Sequence, residues 1–250
     1  MRNVIVIGMG TGAASHMSIA AIEALAAADV VFIPTKGTEK GRLAAVRREI
    51  VDRFAPDGPR SIEFALPVRD AANPDYADGV HDWHDAIAQH YRAMIADMAE
   101  GETAALLVWG DPGLYDSTLR ILDRIRGDID FAVRVIPGIT AVQALTAAFA
   151  MPLNTVGNPV TITTGRHLLD HGWPPDADTL VVMLDGKTAF ARIAPEGVDI
   201  YWAAYVGMEE EILMSGGLAE QRDAIVAART AARARHGWIM DIYLLRRVIA

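Results

Sequence analysis

The sequence predicts an α/β protein of two domains, the first built on a parallel sheet and the second on a mixed one. Three observations lead there. Up to about residue 150, short apolar runs alternate with helical stretches, the pattern of βα units joined by right-handed crossovers. From residue 160 onward, strand-like runs follow one another with a single clear long helix among them. Between the two parts, "PLNTVGNP" at 152–159 gathers proline, glycine and asparagine, so the domains are read as 1–151 and 152–250.

The elements follow in order. Val4 to Ile7 is an apolar strand, followed by a helix from about His16, a strand over Val30 to Ile33 and a helix over Leu43 to Arg53. A long helix covers about Pro74 to Ala99 and stops near Gly101, where glycine ends a helix at little steric cost. The strand "TAALLVW", a helix after "GDPGLYDS", the strand "FAVRVI" and a helix after Pro137-Gly138 complete the first domain. In the second, "VTITT", "TLVVML", "IYWAAYV", "EILM" and "WIMDIYLL" read as strands, with a helix from about Leu218 to Arg235.

Composition narrows the function. The 250 residues include no cysteine, which excludes disulfides and thiolate metal sites and fits a cytoplasmic setting. Val4 to Ile7 flows straight into a glycine turn with no separate basic and apolar regions, unlike a signal peptide, and no apolar run approaches membrane-spanning length. A net charge of −9 disfavours a broad nucleic-acid face, which needs clustered Lys and Arg. The densest basic run, from Lys36 to Arg48, reads mostly as the solvated side of a helix, Arg47 and Arg48 in particular. His81 and His84 share a face of the long helix, but nothing completes a metal site around them.

The turn Gly8-Met9-Gly10-Thr11-Gly12-Ala13 after the first strand fits the G-x-G-x-x-G/A pattern of dinucleotide folds. Such folds also need an acid at the end of the second strand to hold the ribose. Here that strand ends in Pro34-Thr35-Lys36, while Asp29 precedes it, so the fingerprint is half-made.

Two further strands end in unusual loops, "WGDPGLYDS" from Trp109 and "PGITA" from Pro137. In a parallel sheet the three loops converge on one edge, where glycine lets the backbone approach a ligand closely. Any one of them reads as ordinary turn chemistry, whereas three together point to a binding site.

The order "VIGMGTGAASHMSIAAIEALAAADVVF", "LLVWGDPGLYDS", "VIPGITAVQAL", "VTITTG", "TLVVMLDGKTAF" and "EEILMSGGLAE" resembles the tetrapyrrole methyltransferase family nearly end to end. The resemblance implies two α/β domains with a cleft between them, S-adenosylmethionine as cofactor, no metal, a tetrapyrrole substrate and a homodimer. Within the family, "WGDPGLYDST", "VVMLDGKTAF" and "GWIMDIYLLRR" are most similar to the member that methylates ring carbon C-1 and releases a two-carbon unit as acetate.

By matching position, the resemblance implies cofactor contacts from Thr11, Trp109, Gly110, Asp111, Leu114, Thr140, Ala141, Met183, Leu184, Ala204, Tyr205 and Trp238. Gly8 and Gly10 would form the floor on which the substrate sits. The sequence departs from the family at Thr11, where proline is frequent, and at Asp185, where glycine is frequent. Acetate release needs a base and a donor to the developing oxyanion, and the candidates are His167, His16, Asp111 and Tyr115. The favoured reading of His167 is a loop residue with a local hydrogen bond, and that of Asp111 is to order its own loop or hold the cofactor. A polycarboxylate substrate on an acidic protein calls for a focused basic rim, to which Lys36, Arg69, Arg166 and Lys187 are assigned.

Four rivals stand beside this reading: a methyltransferase for another ring carbon, an RNA ribose methyltransferase, a tetrapyrrole carrier without chemistry, and a nicotinamide oxidoreductase. The last ranks lowest for want of the ribose-binding acid.

Overall fold

The computed structural model describes residues 1–35, 41–67 and 76–248. Runs such as "VIVI", "VVFI" and "AALLV" are apolar at every position because both faces of a parallel sheet are covered. They form β1 (Arg2–Gly8), β2 (Val30–Thr35) and β4 (Thr103–Val108), joined by β3 (Arg60–Ala65) and β5 (Phe131–Ile136). All pairings are parallel, in the order β3-β2-β4-β1-β5. β3 escaped the sequence reading. Its signal was the alternation of Ile62 and Phe64 with exposed Ser61 and Glu63, masked by the surrounding charge.

Helices α1 (Ile19–Ala26) and α2 (Gly41–Phe54) pack against β1 and β2, while α3 (Tyr76–Asp97) and α4 (Thr118–Ile125) cover the other face. There Ile87, Tyr91 and Ile95 meet Ile121, Leu122 and Ile125 over Val4, Phe32 and Leu106. α1 starts later than expected: Ser18 caps it by accepting from the Ala21 amide at 3.1 Å, and His16 lies in a preceding 3-10 turn. Arg48 is a solvated ion pair with Glu63, as a surface position should be. Arg47 is not: only 8% exposed, it turns inward and donates to the carbonyls of Leu107 and Leu43, each at 2.9 Å.

The second sheet runs β6-β7-β10-β8-β9, with β6 (Val160–Thr164), β7 (Thr179–Met183), β8 (Val198–Ala204), β9 (Ile212–Gly217) and β10 (Asp241–Arg247). β6 and β7 are parallel and the other pairs antiparallel, so the sheet is mixed. α7 (Leu218–His236) lies on β8 and β9, and a short helix, α6 (Gly165–His171), follows β6. The chain divides at Thr140/Ala141, one helix before the proline-rich segment. The reason is that α5 (Ala141–Ala148) packs on β8 and β10, which the local sequence does not reveal.

Glu102 ties the amino-terminal edge of the first sheet together, accepting from Arg60 at 2.7 Å and from the Ala99 amide at 2.7 Å. The Arg60 hydrogen bond, with the amide, holds its carboxyl below the ordinary 4.5. A lowered carboxylate value contributes stability that is present above the unfolded pKa and lost as pH falls through the folded one. Urea midpoints of wild type and Glu102→Gln should therefore differ at pH 7, with the difference shrinking as pH falls below the ordinary glutamate value and through the lowered folded one.

Candidate functional site

At the carboxyl edge of the first sheet the three loops do converge, because β4, β1 and β5 are adjacent and parallel. Gly10 and Gly110 form a two-residue antiparallel bridge, with Gly110 N–H donating to the Gly10 carbonyl at 2.7 Å. A Cβ on Gly138 would lie 2.1 Å from the Gly110 carbonyl oxygen, and one on Gly8 would lie 2.6 Å from the Gly138 nitrogen. A Cβ on Gly10 would meet that of His16 at 2.4 Å. Gly8 and Gly10, assigned to a substrate floor, are thus glycine because loop meets loop there.

Asp111 explains how the loops stay together. Its Oδ1 accepts from the Gly113 amide at 2.7 Å and its Oδ2 from the Gly138 amide at 2.9 Å. A carboxylate spanning two loops in this way is a positioning group. Thr11, 8% exposed, bonds through Oγ1 to His16 Nδ1 at 2.8 Å. Leu114 is half-buried, and Thr140 is buried at the base of the third loop. Tyr115 is exposed with φ at +53°, and partial desolvation raises its hydroxyl above the ordinary 10. Trp109 holds an indole N–H that is buried without a partner.

The second sheet has a comparable edge. β8 is antiparallel to β10, which is antiparallel to β7, so the carboxyl ends of β6, β7 and β8 lie together with the start of β10. Met183, Leu184, Ala204, Tyr205 and Trp238 are all at that edge. Leu184 is 66% exposed with φ at +53°, while Tyr205 is buried with φ at +52°. The Tyr205 hydroxyl donates to the Trp238 carbonyl at 2.6 Å, and its ring meets the indole edge-on. Left-handed backbone in a leucine or tyrosine costs about 1–3 kcal/mol and persists only where its surroundings enforce it.

What enforces it at Leu184 is a buried network the sequence reading missed. Asp185, 5% exposed, accepts from the Lys187 amide at 2.9 Å, the Ala189 amide at 2.6 Å and the Tyr243 hydroxyl at 2.7 Å. Burial, then Asp185, pushes the Tyr243 hydroxyl far above the ordinary phenol range. The Asp185 carbonyl accepts from Arg229, which also pairs with buried Asp241 at 2.9 Å. Gly165 abuts Asp185 so closely that a Cβ would meet its carboxyl carbon at 2.4 Å. The only sequence signal was Asp185 itself, an acid inside an apolar stretch.

Arg166, His167 and Lys187 are exposed at the same edge. His167 belongs to α6 rather than a loop: its amide is capped by Thr164 Oγ1 at 3.2 Å, and its ring stacks on His171 at 4.2 Å. Lys36 and Arg69 lie outside the described residues. Among those described, no group of His, Asp and Glu forms a metal site, and no helix is long and apolar enough to cross a membrane. Asp29 lies at the amino-terminal end of β2, where its Oδ2 accepts from the Thr103 amide at 2.8 Å, so it cannot serve a dinucleotide ribose at the other edge.

Two α/β units, each with a strained, backbone-rich loop edge, and among the described residues no acid at the carboxyl end of β2, define an α/β protein that departs from the dinucleotide-binding pattern. Residues 3–221 match the model of the Tetrapyrrole (Corrin/Porphyrin) Methylases, and the chain belongs to that family. It is 51% identical over 251 aligned positions to "Precorrin-6A synthase [deacetylating]" of Sinorhizobium sp, covering 99% of this chain and 96% of the relative. It is 37% identical, with a TM-score of 0.84 over all of both chains, to a putative cobalamin synthesis related protein (CobF) from Corynebacterium diphtheriae. A uroporphyrin-III-C-methyltransferase from Thermus thermophilus, 21% identical over 98% of this chain and 92% of that one, shares the fold with a TM-score of 0.62.

Proposed function

We propose that this chain is a precorrin-6A synthase: a methyltransferase that uses S-adenosylmethionine to methylate precorrin-5 at C-1, with release of acetate. The observation that carries the reading is the 51% identity, over 99% of the chain, to the Sinorhizobium enzyme of that name. The match to "Precorrin-2 C(20)-methyltransferase", 31% over 59% of the chain, favours a different ring carbon far less. We place the enzyme in the cytoplasm, as a homodimer.

The two edges fit the cofactor in kind. An unpartnered buried indole N–H at Trp109 suits an acceptor on a ligand, and exposed Leu184, held in a costly conformation, suits an apolar contact. The residues proposed to contact it are Thr11, Trp109, Gly110, Leu114, Thr140, Ala141, Met183, Leu184, Ala204, Tyr205 and Trp238. Asp111 acts by fixing two of the loops, and Tyr205 by fixing Trp238. When bound, the cofactor supplies an electrophilic methyl group. Charge diminishes in that transfer, so the protein's task is alignment and exclusion of water rather than strong base catalysis.

For acetate release, His16 is the best-placed base: Thr11 orients it and Nε2 remains to take a proton from water. Tyr115, kept protonated, would donate to the developing oxyanion. His167, exposed and stacked on His171, is the weaker candidate. Arg166 and Lys187 would meet substrate carboxylates at the second edge.

Calorimetric titration with S-adenosylhomocysteine, with NADP as the control, tests the cofactor assignment. Saturable heat from the first alone is expected, followed by acetate and a methylated product from precorrin-5 by mass spectrometry. Heat from NADP alone would overturn the reading.

A further inference from the structure

A cavity of about 140 Å³ lies within the first unit, behind the loop that follows β4. Apolar side chains such as Ile87 and Leu106 form its walls, and its polar lining includes Arg47, Tyr91, Asp116 and Thr118. Arg47 sets its character. The guanidinium spends Nε on the Leu107 carbonyl and Nη1 on the Leu43 carbonyl, and its carbon lies 5.9 Å from the centre of the Trp109 ring. Nη2 has no hydrogen bond to any described residue, and no described carboxylate forms an ion pair with the group.

Burial lowers the Arg47 pKa to about 10, so the side chain is still a cation at neutral pH. A buried cation without an ion-pair partner is costly unless something anionic completes it. Asp116 acts on it from a distance, but one of its oxygens accepts from the Thr118 amide at the start of α4, at 2.7 Å. Tyr91, whose hydroxyl burial pushes up to about 12, is neutral and hydrogen-bonded to the Thr118 side chain. The lining thus brings together a guanidinium nitrogen with no described hydrogen-bond partner, the hydroxyls of Tyr91 and Thr118, the Asp116 carboxylate already engaged by the Thr118 amide, and hydrocarbon.

We propose that this cavity binds a short-chain monocarboxylate of acetate size, its carboxylate on Arg47 Nη2 and its methyl group against the apolar wall. A space of about 140 Å³ suffices for such an acid. The class of ligand comes from the cavity alone. The choice of acetate rests on the proposed reaction, in which the same ion is released. Its source would be either the freed product or an acetate arm still attached to the ring.

The test follows the Arg47 Nε–H resonance of the full-length protein in ¹H–¹⁵N spectra during titration with sodium acetate, with sodium chloride and sodium octanoate as controls. A saturable shift with acetate only is expected. Arg47→Met should weaken acetate binding, read from ¹³C-acetate line broadening, by about tenfold or more, the weight of one charge-assisted hydrogen bond. Should that variant not fold, Tyr91→Phe, which keeps the ring, should still weaken binding several-fold.

Repeating the titration with the tetrapyrrole product bound separates the sources. Unchanged affinity marks a site for the freed acid, and expulsion marks a site for the attached arm. No saturable shift in wild type, or full affinity in a folded Arg47→Met protein, overturns the proposal. Either result leaves the S-adenosylhomocysteine titration, and hence the proposed reaction, untouched.

Discussion

Gly138→Ala should destabilise the protein by about 3 kcal/mol or more, at the upper end of overpacking costs, because no flexible side chain stands in the way. The added carbon would sit 2.1 Å from the Gly110 carbonyl and 2.7 Å from the Gly8 backbone, so two loops must part to admit it. For a chain of this size that is a fall in Tm of about 6–12 °C. The Gly138 amide would also leave Asp111, so S-adenosylhomocysteine affinity should fall with stability. Gly110→Ala is the control. Its backbone is left-handed at φ +63°, but a Cβ there has its nearest neighbour at 3.6 Å. Strain alone, about 1 kcal/mol, is then expected. Equal losses in the two variants, measured by thermal unfolding, would refute the loop-contact account.

Asp185→Ala should cost about 3–5 kcal/mol, the range for breaking a buried charged network. The change strands the Lys187 and Ala189 amides and the hydroxyl of Tyr243, a residue 1% exposed. Tyr243→Phe removes one donor and leaves the carboxylate its two amides, so about 1 kcal/mol is expected. Asp185→Asn keeps the shape but turns an NH₂ group toward a donor, and should fall between the two. Because Leu184 precedes Asp185 and holds a strained backbone, cofactor binding should weaken in the same order. Urea unfolding and calorimetry on the three variants read both effects. A large stability loss with unchanged cofactor affinity would separate the network from the site.

Arg229 should not behave independently of Asp185. It donates to the Asp185 carbonyl at 2.7 Å and to Asp241 at 2.9 Å, so substitutions at the two positions should be non-additive.

The linear sequence determined the strands and helices whose apolar period is strong, the parallel-then-mixed order of the sheets, and the three glycine-bearing loops. Each rests on neighbours in sequence: apolar runs bounded by glycine and proline need no distant partner to be legible. The family was legible for the same reason, since its motifs are local and keep their order. What only the tertiary structure decided depends on contacts between distant positions. Arg47 looked solvated because its helix is basic, and is buried because Leu107, sixty residues on, supplies a carbonyl. Asp111 reads from the sequence as an acid that orders its own loop or serves the site, and only the fold shows that its second oxygen reaches Gly138, in another loop. Asp185 looked like a departure from pattern, and its meaning lies in Tyr243 and Arg229, which no local period connects to it. A buried polar group must find partners wherever the fold brings them, and chain position does not encode that meeting.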